Sequence, residues 1–588
     1  MVTPFGGTGR DGGGGHRLLL AAGVAGILLT LSACDALEDG GTSDGADGTA
    51  AQDGSGQPDA VGDALVATLA APEEATVVTG SAAQRALRTT AALFATAPVV
   101  VVAAPDEQLR AASAAVALGV PVLVDGAGTA EEVERLGAEV ALVLGPVDDP
   151  GIDVVVPQDD EELARLLGVG AAAVTVDAAD ATARIAALDP AAPELLVPGA
   201  AAAPAPEDSA STTADATDAT SAPEPGPAPL DSDRDELPET AAPQPQGATV
   251  VLTTGSDDDL AALGTARAAG ATVVVAEDGD PRSSTESVEA MAGSAPTAVL
   301  GLGEEFGDTE TLAWRSRTAA TGEELPGGGQ LALPGKTYVA LYGTPVTSAL
   351  GVLGEQPIEE TITRAEEFAA AYQPLTDEPV VPTLEIIVTV ASEGAGPDGN
   401  YSNELPLDDI RPLVDLAGEH GVYVVLDLQP GRTDYVTQAK LYEELLVRPY
   451  VGLALDPEWR LRPDQVHMTE IGQVSVSEVD EVVTYLADLT RENDLPQKIL
   501  VLHQFQTRMI PDVNEVDQSR SEVAVLIHAD GQGPQPSKQD TWRTLRANAP
   551  DVEHWGWKNF YDEDVPGPLT PEETMSLVDP VPDFISYQ

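Results

Sequence analysis

Cationic residues are scarce in this chain of 588 residues: 29 Lys and Arg stand against 97 Asp and Glu, a formal charge of -68 at pH 7. That balance argues against nucleic acid as a partner and against electrostatic binding to anionic lipid, both of which need cations at the contact. Aromatic side chains are also few, at 4%. Four of the five tryptophans lie after residue 450, so the large side chains gather near the C-terminal end. The single cysteine, Cys34, leaves no internal disulfide to form. Apolar runs are short. Leu18–Leu31 (LLLAAGVAGILLTL) falls below the length of a comfortable bilayer span, and no later segment is apolar enough to replace it. The glycines at Gly12–Gly15 cradle no phosphate, and no dinucleotide fingerprint appears in context. No Gly-x-Ser-x-Gly elbow stands between a strand and a helix, which argues against a serine hydrolase.

What is present begins with that apolar run. His16 and Arg17 precede it, and Ser32, Ala33 and Cys34 follow, which is the layout of a secretory signal. Leu31-Ser32-Ala33-Cys34 resembles the bacterial lipobox. The resemblance implies that residues 1–34 form a lipoprotein signal in which Cys34 is diacylated. The chain is then anchored by lipid to the cell membrane on its extracytoplasmic face. The alternative is an ordinary signal peptide that happens to contain Cys. Residues 35–60 are Gly, Asp, Ser, Ala and Thr, too poor in apolar surface to offset their ordering entropy, and read as a flexible tether. Residues 200–246 are rich in Pro, Ala, Ser, Thr and acid, and are expected to form a disordered linker.

Either side of that linker, one pattern occurs twice. Val99–Val124 and Thr249–Val275 each hold a β-branched run, an acidic turn, an Ala-rich stretch, a Gly and a second β-branched run. Each is followed by a helical stretch and a short strand, Ala138–Val147 and Ala295–Gly303. Strand–helix–strand units with continuously apolar strands predict a parallel sheet, and hence α/β segments over 61–199 and 247–330. The pattern resembles the cell-wall-binding repeats of Gram-positive surface proteins, through Gly119-Val120-Pro121-Val122-Leu123 and Val143-Leu144-Gly145. Asp106-Glu107-Gln108-Leu109 stands where those repeats carry Asp-Ala-Leu, and Asp259-Leu260-Ala261 is a partial match. The resemblance implies a cell-wall partner. A degenerate α/β domain that only spaces the rest of the chain from the membrane is the alternative.

From residue 336 to 588 eight strand-like segments recur: Thr337–Gly343, Leu384–Ser392, Val422–Leu428, Val451–Asp456, Ile499–Phe505, Val523–Gly531, Val552–Phe560 and Asp583–Gln588. Helical patterns lie between several of them, at Ile358–Tyr372, Leu407–Gly421, Thr437–Leu446 and Ser477–Asn493. Eight strands in this length predict a (β/α)8 barrel of the TIM type, so the fold class expected for the whole chain is α/β.

In such a barrel the chemistry sits at the C-terminal strand ends. Those ends carry Tyr342, Ser392 with Glu393, Asp427 with Gln429, Asp456 with Glu458, His503 with Gln504, His528 with Asp530, Trp557 with Lys558, and Tyr587 with Gln588. Polar or aromatic residues at nearly every end predict a ligand pocket. Glycoside hydrolysis needs one protonated and one ionised carboxyl. Asp456 and Glu458, in Leu455-Asp456-Pro457-Glu458-Trp459, would share a face if the segment were extended, with Asp427 as a third acid. Mutual repulsion could raise one pKa as a general acid requires. Trp459, Trp555 and Trp557 could stack on sugar rings, and Arg460 and Arg432 could orient carboxylates.

This stretch resembles the fourth-strand Asp-x-Glu of chitinase-type glycoside hydrolases and barrel-type lysozymes. The resemblance implies Glu458 as the acid and Asp456 as its helper. Val451, Ala454 and Pro457 replace other residues of the longer chitinase motif, so that specific mechanism does not carry over. Without catalysis, Asp456 would cap a turn started by Pro457. The domain also resembles a family of uncharacterised bacterial lipoprotein domains through Leu350–Gln356, Tyr423–Arg432, Leu453–Leu461, His528–Gly533 and Trp555–Asp564. That family has no assigned activity. Metal-assisted hydrolysis is a further reading, with His503 and His528 on neighbouring strands, but Tyr342-Gly343-Thr344 stands where amidohydrolase barrels carry His-x-His. His467 and His554 lack partners at a suggestive spacing. The residues therefore call for no metal and no cofactor. They point to a glycan, of the cell envelope or elsewhere, that is either cleaved or only bound.

Overall fold

The computed structural model describes residues 64–170, 173–199, 227–245 and 247–588. The expected signal, Cys34 and the tether lie outside the described residues. So does the linker from 200 to 226. No helix among the described residues is long and apolar enough to cross a membrane.

The repeated pattern folds into two parallel four-stranded sheets. One runs Val122–Val124, Val99–Ala103, Val140–Leu144, Asp153–Val155 in spatial order. The other runs Thr272–Val275, Thr249–Thr253, Ala298–Leu302, Ala75–Val78. The last of these strands comes from before the linker and pairs Ala75 with Val299, so the two segments are interlocked. Helices Gln108–Leu118 and Leu260–Ala268 pack against each other where Gly264 meets Ala112. A Cβ at Gly264 would stand 2.4 Å from Ala112 Cα, so the close approach requires glycine. The abundance of Ala and Gly in this half has its physical reason here.

Residues 227–245 correct one expectation. Their composition predicts a disordered linker, yet Thr240–Ala241 pairs in parallel with Leu65–Val66, and the Asp233 amide donates to Val154 O at 2.9 Å. Leu230 and Leu237 pack against the core, and that apolar contact offsets the cost of ordering the segment.

Beyond residue 336 the expected barrel is present and closed. Its strands are β1 (Thr337–Gly343), β2 (Val380–Ala391), β3 (Tyr423–Leu428), β4 (Val451–Leu455), β5 (Lys498–Gln504), β6 (Val523–Ala529), β7 (His554–Asn559) and β8 (Phe584–Tyr587). Each pairs in parallel with the next, and β1 pairs with both β2 and β8. The outer helices include α1 (Ile358–Tyr372), α2 (Leu407–Glu419), α3 (Val476–Glu492), α4 (Gln535–Asn548) and α5 (Pro571–Leu577). The helix expected over Thr437–Leu446 is broken into Tyr435–Ala439 and Glu443–Leu446, and between β5 and β6 only short 3-10 turns occur.

Strand alternation sorts the side chains into two cores. Leu341, Leu426, Leu500, Trp557 and Ile585 point outward against the helices. Tyr338, Val381, Tyr423, Ile499, Ala524 and Phe584 fill the lower interior. Leu325, Ala332 and Leu333, from the segment leading into β1, pack against that layer and close the bottom. Tyr338 Oη donates to Ala332 O at 3.0 Å, pinning this plug. The plug thus covers the N-terminal ends of the strands, and the interior opens at their C-terminal ends.

Candidate active site

Four residues further along most of these strands, the inward positions change from apolar to ionisable. Tyr342 (β1), Glu385 (β2), Asp427 (β3), His503 (β5), His528 (β6) and Lys558 (β7) all face inward and are almost fully buried. Asp456, Glu458 and Asp530 stand just past the ends of β4 and β6. A cleft of about 390 Å³ opens above them, lined by Tyr342, Asp456, Glu458, Trp459, Asp530 and Lys558 among others.

The buried charges form a connected network. His503 Nε2 lies 2.7 Å from Glu385 Oε1, and its Nδ1 stands 3.2 Å from Asp530 Oδ2. Asp530 Oδ1 is 3.4 Å from Lys558 Nζ, which also sits 3.5 Å over the Tyr342 ring. Tyr342 Oη donates to Asp427 Oδ2 at 2.9 Å. His528 Nε2 pairs with Ser586 Oγ at 2.8 Å. Asp456 Oδ1 is buried with no hydrogen-bond partner among the described residues.

This arrangement separates the protonation states. Burial, followed by the charge of Asp530, pushes Glu458 up to about 7. Burial also raises Asp456 well above the carboxylate range, with Glu458 and Asp427 adding repulsion. Asp427 is pushed up to about 6 by burial, with Glu385 adding repulsion against the pull of His503. Asp530 goes the other way: burial would raise it, but the cations Lys558 and His503 outweigh burial and hold it ionised. Glu385 is likewise lowered, because His503 overcomes the burial cost. Burial alone would lower His503, but Glu385 and Asp530 raise it well above its ordinary value. His528, buried beside that imidazolium, is pushed down to about 3 and is neutral. One cleft therefore presents a protonatable Glu458 and an ionised Asp530, a division of roles that acid–base chemistry uses.

The local geometry of the Asp-Pro-Glu differs from the extended segment expected. Pro457–Trp459 is a 3-10 turn, and the Trp459 amide donates to Asp456 O. Proline fixes its start. The Asp456 side chain caps nothing; it points into the barrel, and the turn brings Glu458 to the same cleft. Gln429 also lines the cleft, its Oε1 accepting from the Ala391 amide at 2.9 Å.

Several expected ligand-binding residues stand elsewhere. Trp557 and Trp555 point outward onto Trp542 of α4, because the inward neighbours are Lys558 and Gly556. Tyr587 also faces outward, its Oη 2.5 Å from Tyr372 Oη on α1. Gln504 follows inward-facing His503 and by alternation turns away from the cleft. Glu393 is exposed in the loop after β2. Arg460 pairs with Glu478 of α3 at 2.9 Å, and Arg432 stacks 4.5 Å over Tyr401, so neither cation reaches the carboxylates. His467 bonds Tyr401 O beneath Trp459, and His554 sits at the opposite, N-terminal end of β7.

Sequence reasoning missed Glu385, Phe505, Phe560 and Ser586. A lone glutamate inside the apolar run Leu384–Ala391 was the available sign of Glu385, since a charge amid β-branched residues must be paired when buried. Among the described residues, no group of three or more His, Cys, Asp and Glu is arranged to hold a metal ion. Both nitrogens of His503 already face carboxylates.

No protein-family model matches the chain. No curated protein is similar to it in sequence. Among solved structures, Cwp6 from Clostridium difficile aligns at 10% identity with a TM-score of 0.26, over 60% of this chain and 63% of that one. CcCel6C, a glycoside hydrolase family 6 enzyme from Coprinopsis cinerea, aligns at 15% identity with a TM-score of 0.17, over 47% of this chain and 69% of that one. The chain thus spans less than two thirds of the length of Cwp6.

Proposed function

We propose that the barrel hydrolyses glycosidic bonds, with Glu458 as general acid and Asp530 as the ionised partner. The observation that carries this reading is the placement of two carboxyls on one cleft, Asp530 beside the cations Lys558 and His503 and Glu458 with neither against it, which favours opposed protonation. Glu458 gives its proton to the oxygen of the leaving sugar. Asp530 stabilises the positive charge that develops at the anomeric carbon, where the hydroxyl of water finally bonds while its proton restores Glu458. Asp456, protonated at the cleft floor, supplies a hydrogen-bond donor. His503, held by Glu385, keeps Asp530 ionised and in place. Trp459, Phe505 and Phe560 give the cleft apolar walls of the kind sugar faces pack on.

On this reading residues 1–34 deliver the chain to the cell surface and Cys34 anchors it by lipid, so that the substrate is a glycan of the envelope or its surroundings. Release of sugars from purified cell walls and a polysaccharide panel, compared between the parent and Glu458→Gln, is the test. Release by the parent and its loss in the variant are expected. Binding without release from any polymer would make the cleft a capture site instead.

A further inference from the structure

We propose that the barrel mouth is the middle of a longer groove, built for a linear, uncharged or amine-bearing polysaccharide with sugar units on both sides of Glu458. This rests on the hydrolase reading above and adds the substrate class and the internal position of the cut.

Three depressions adjoin along the C-terminal face. The central cleft shares Glu458 and Trp459 with one of about 590 Å³ that continues towards Met468 and Arg508. On its other side it shares Leu350, Glu563 and Gln588 with one of about 370 Å³ that continues to Arg364 and Tyr561. A site for a single sugar would be walled at one end. Here the carboxylates have open surface to either side.

Each arm carries an aromatic surface. Trp459 forms the wall between the centre and the first arm, and its Nε1 finds no partner among the described residues. Tyr561 is 44% exposed at the far end of the second arm, backed by Tyr587 with ring centroids 6.0 Å apart. In a chain so poor in aromatics, two such rings flanking the carboxylates are placed as sugar platforms would be. The charge lining sets the polymer's chemistry. Beyond the central carboxyls, the arms and rim add Glu355, Glu470, Asp562 and Glu563 against Arg364 and Arg508. Arg364 is already paired with Glu355 at 2.7 Å. An acidic polymer would meet uncompensated like charge along this groove, whereas neutral or amine-bearing sugars would not.

The test is calorimetric binding to the full chain carrying Glu458→Gln, which removes turnover while keeping the groove. Probes are dimers and hexamers of β-1,4-linked glucose, glucosamine and N-acetylglucosamine, with a galacturonic acid hexamer as the anionic probe. At least one neutral or amine-bearing hexamer is expected to bind about tenfold or more tighter than its dimer. Trp459→Ala and Tyr561→Ala should each lose most of that gain while thermal unfolding stays cooperative. Equal affinity for dimer and hexamer, preference for the galacturonic acid hexamer, or no binding of any hexamer overturns the groove. Failure of the hydrolase reading looks different: length-dependent binding persists, but the parent chain releases no reducing ends.

Discussion

A buried carboxyl is tolerated only when it is neutral or paired, and the barrel interior uses both solutions. Glu385 and Asp530 are paired to His503 and Lys558, while Asp456 and Glu458 are pushed towards neutrality. Removing one partner exposes the cost. Glu385→Ala leaves the imidazolium of His503 with a buried charge half compensated, and about 3–5 kcal/mol of stability should be lost in denaturant unfolding. Glu458→Gln should act oppositely. It removes a carboxyl that must ionise against burial, so the variant should be more stable than the parent at pH 8 by about 1–2 kcal/mol, with little difference at pH 4. The candidate acids Asp427, Asp456 and Glu458 were legible in the sequence because they end apolar runs. The two-residue period decided the rest: at a strand end such as Trp557-Lys558 only one of two neighbours can face inward, and the sequence leaves open which one. Glu385 was hidden because it lies inside its strand rather than at the end.

At the scale of elements, all eight barrel strands were legible, most of them from the apolar runs that buried parallel strands require, and β7 from a short Trp-rich segment with polar residues in it. Helices α4 and α5 were not, since Gln535–Asn548 is strongly polar and Pro571–Leu577 is short. Helix α4 is held by what it packs on: its Trp542 donates to Asp579 O and stacks edge-on against Trp555 and Trp557. The pairing of Ala75–Val78 with Ala298–Leu302 was equally hidden, because no local pattern reports a partner so far along the chain. The seam between the Gln108–Leu118 and Leu260–Ala268 helices makes a further prediction. Gly264→Val places a branched side chain where even a Cβ meets Ala112 backbone, and should cost about 3 kcal/mol or more, seen as a lower unfolding midpoint.

For the whole molecule, pH should act on stability from two sides. Asp427 and Glu458 hold protons more tightly folded than unfolded, with folded values of about 6 and about 7. Their contribution is complete below about pH 4 and is lost as pH rises through 6 to 7. His528, pushed down to about 3, contributes above about pH 6.5 and loses that contribution as pH falls towards 3. Unfolding temperature should therefore peak on the mildly acidic side. With a formal charge of -68, it should also rise with added salt, as screening weakens self-repulsion. The overall α/β plan with a C-terminal barrel could be read from the sequence. The ordering of residues 227–245 could not, because a few leucines in an acidic stretch give no periodic signal.

The measurement that bears most directly on the opposed carboxyls is the pH profile of reducing-end release for the parent, Glu458→Gln and Asp530→Asn. The parent rate should fall as pH rises through about 7, where Glu458 loses its proton. Glu458→Gln should lose about 100-fold or more and with it that alkaline limb. Asp530→Asn should be comparably slow, since it removes the ionised partner. A Glu458→Gln variant that cleaves as fast as the parent, with the same alkaline limb, would contradict the assignment of Glu458 as the acid.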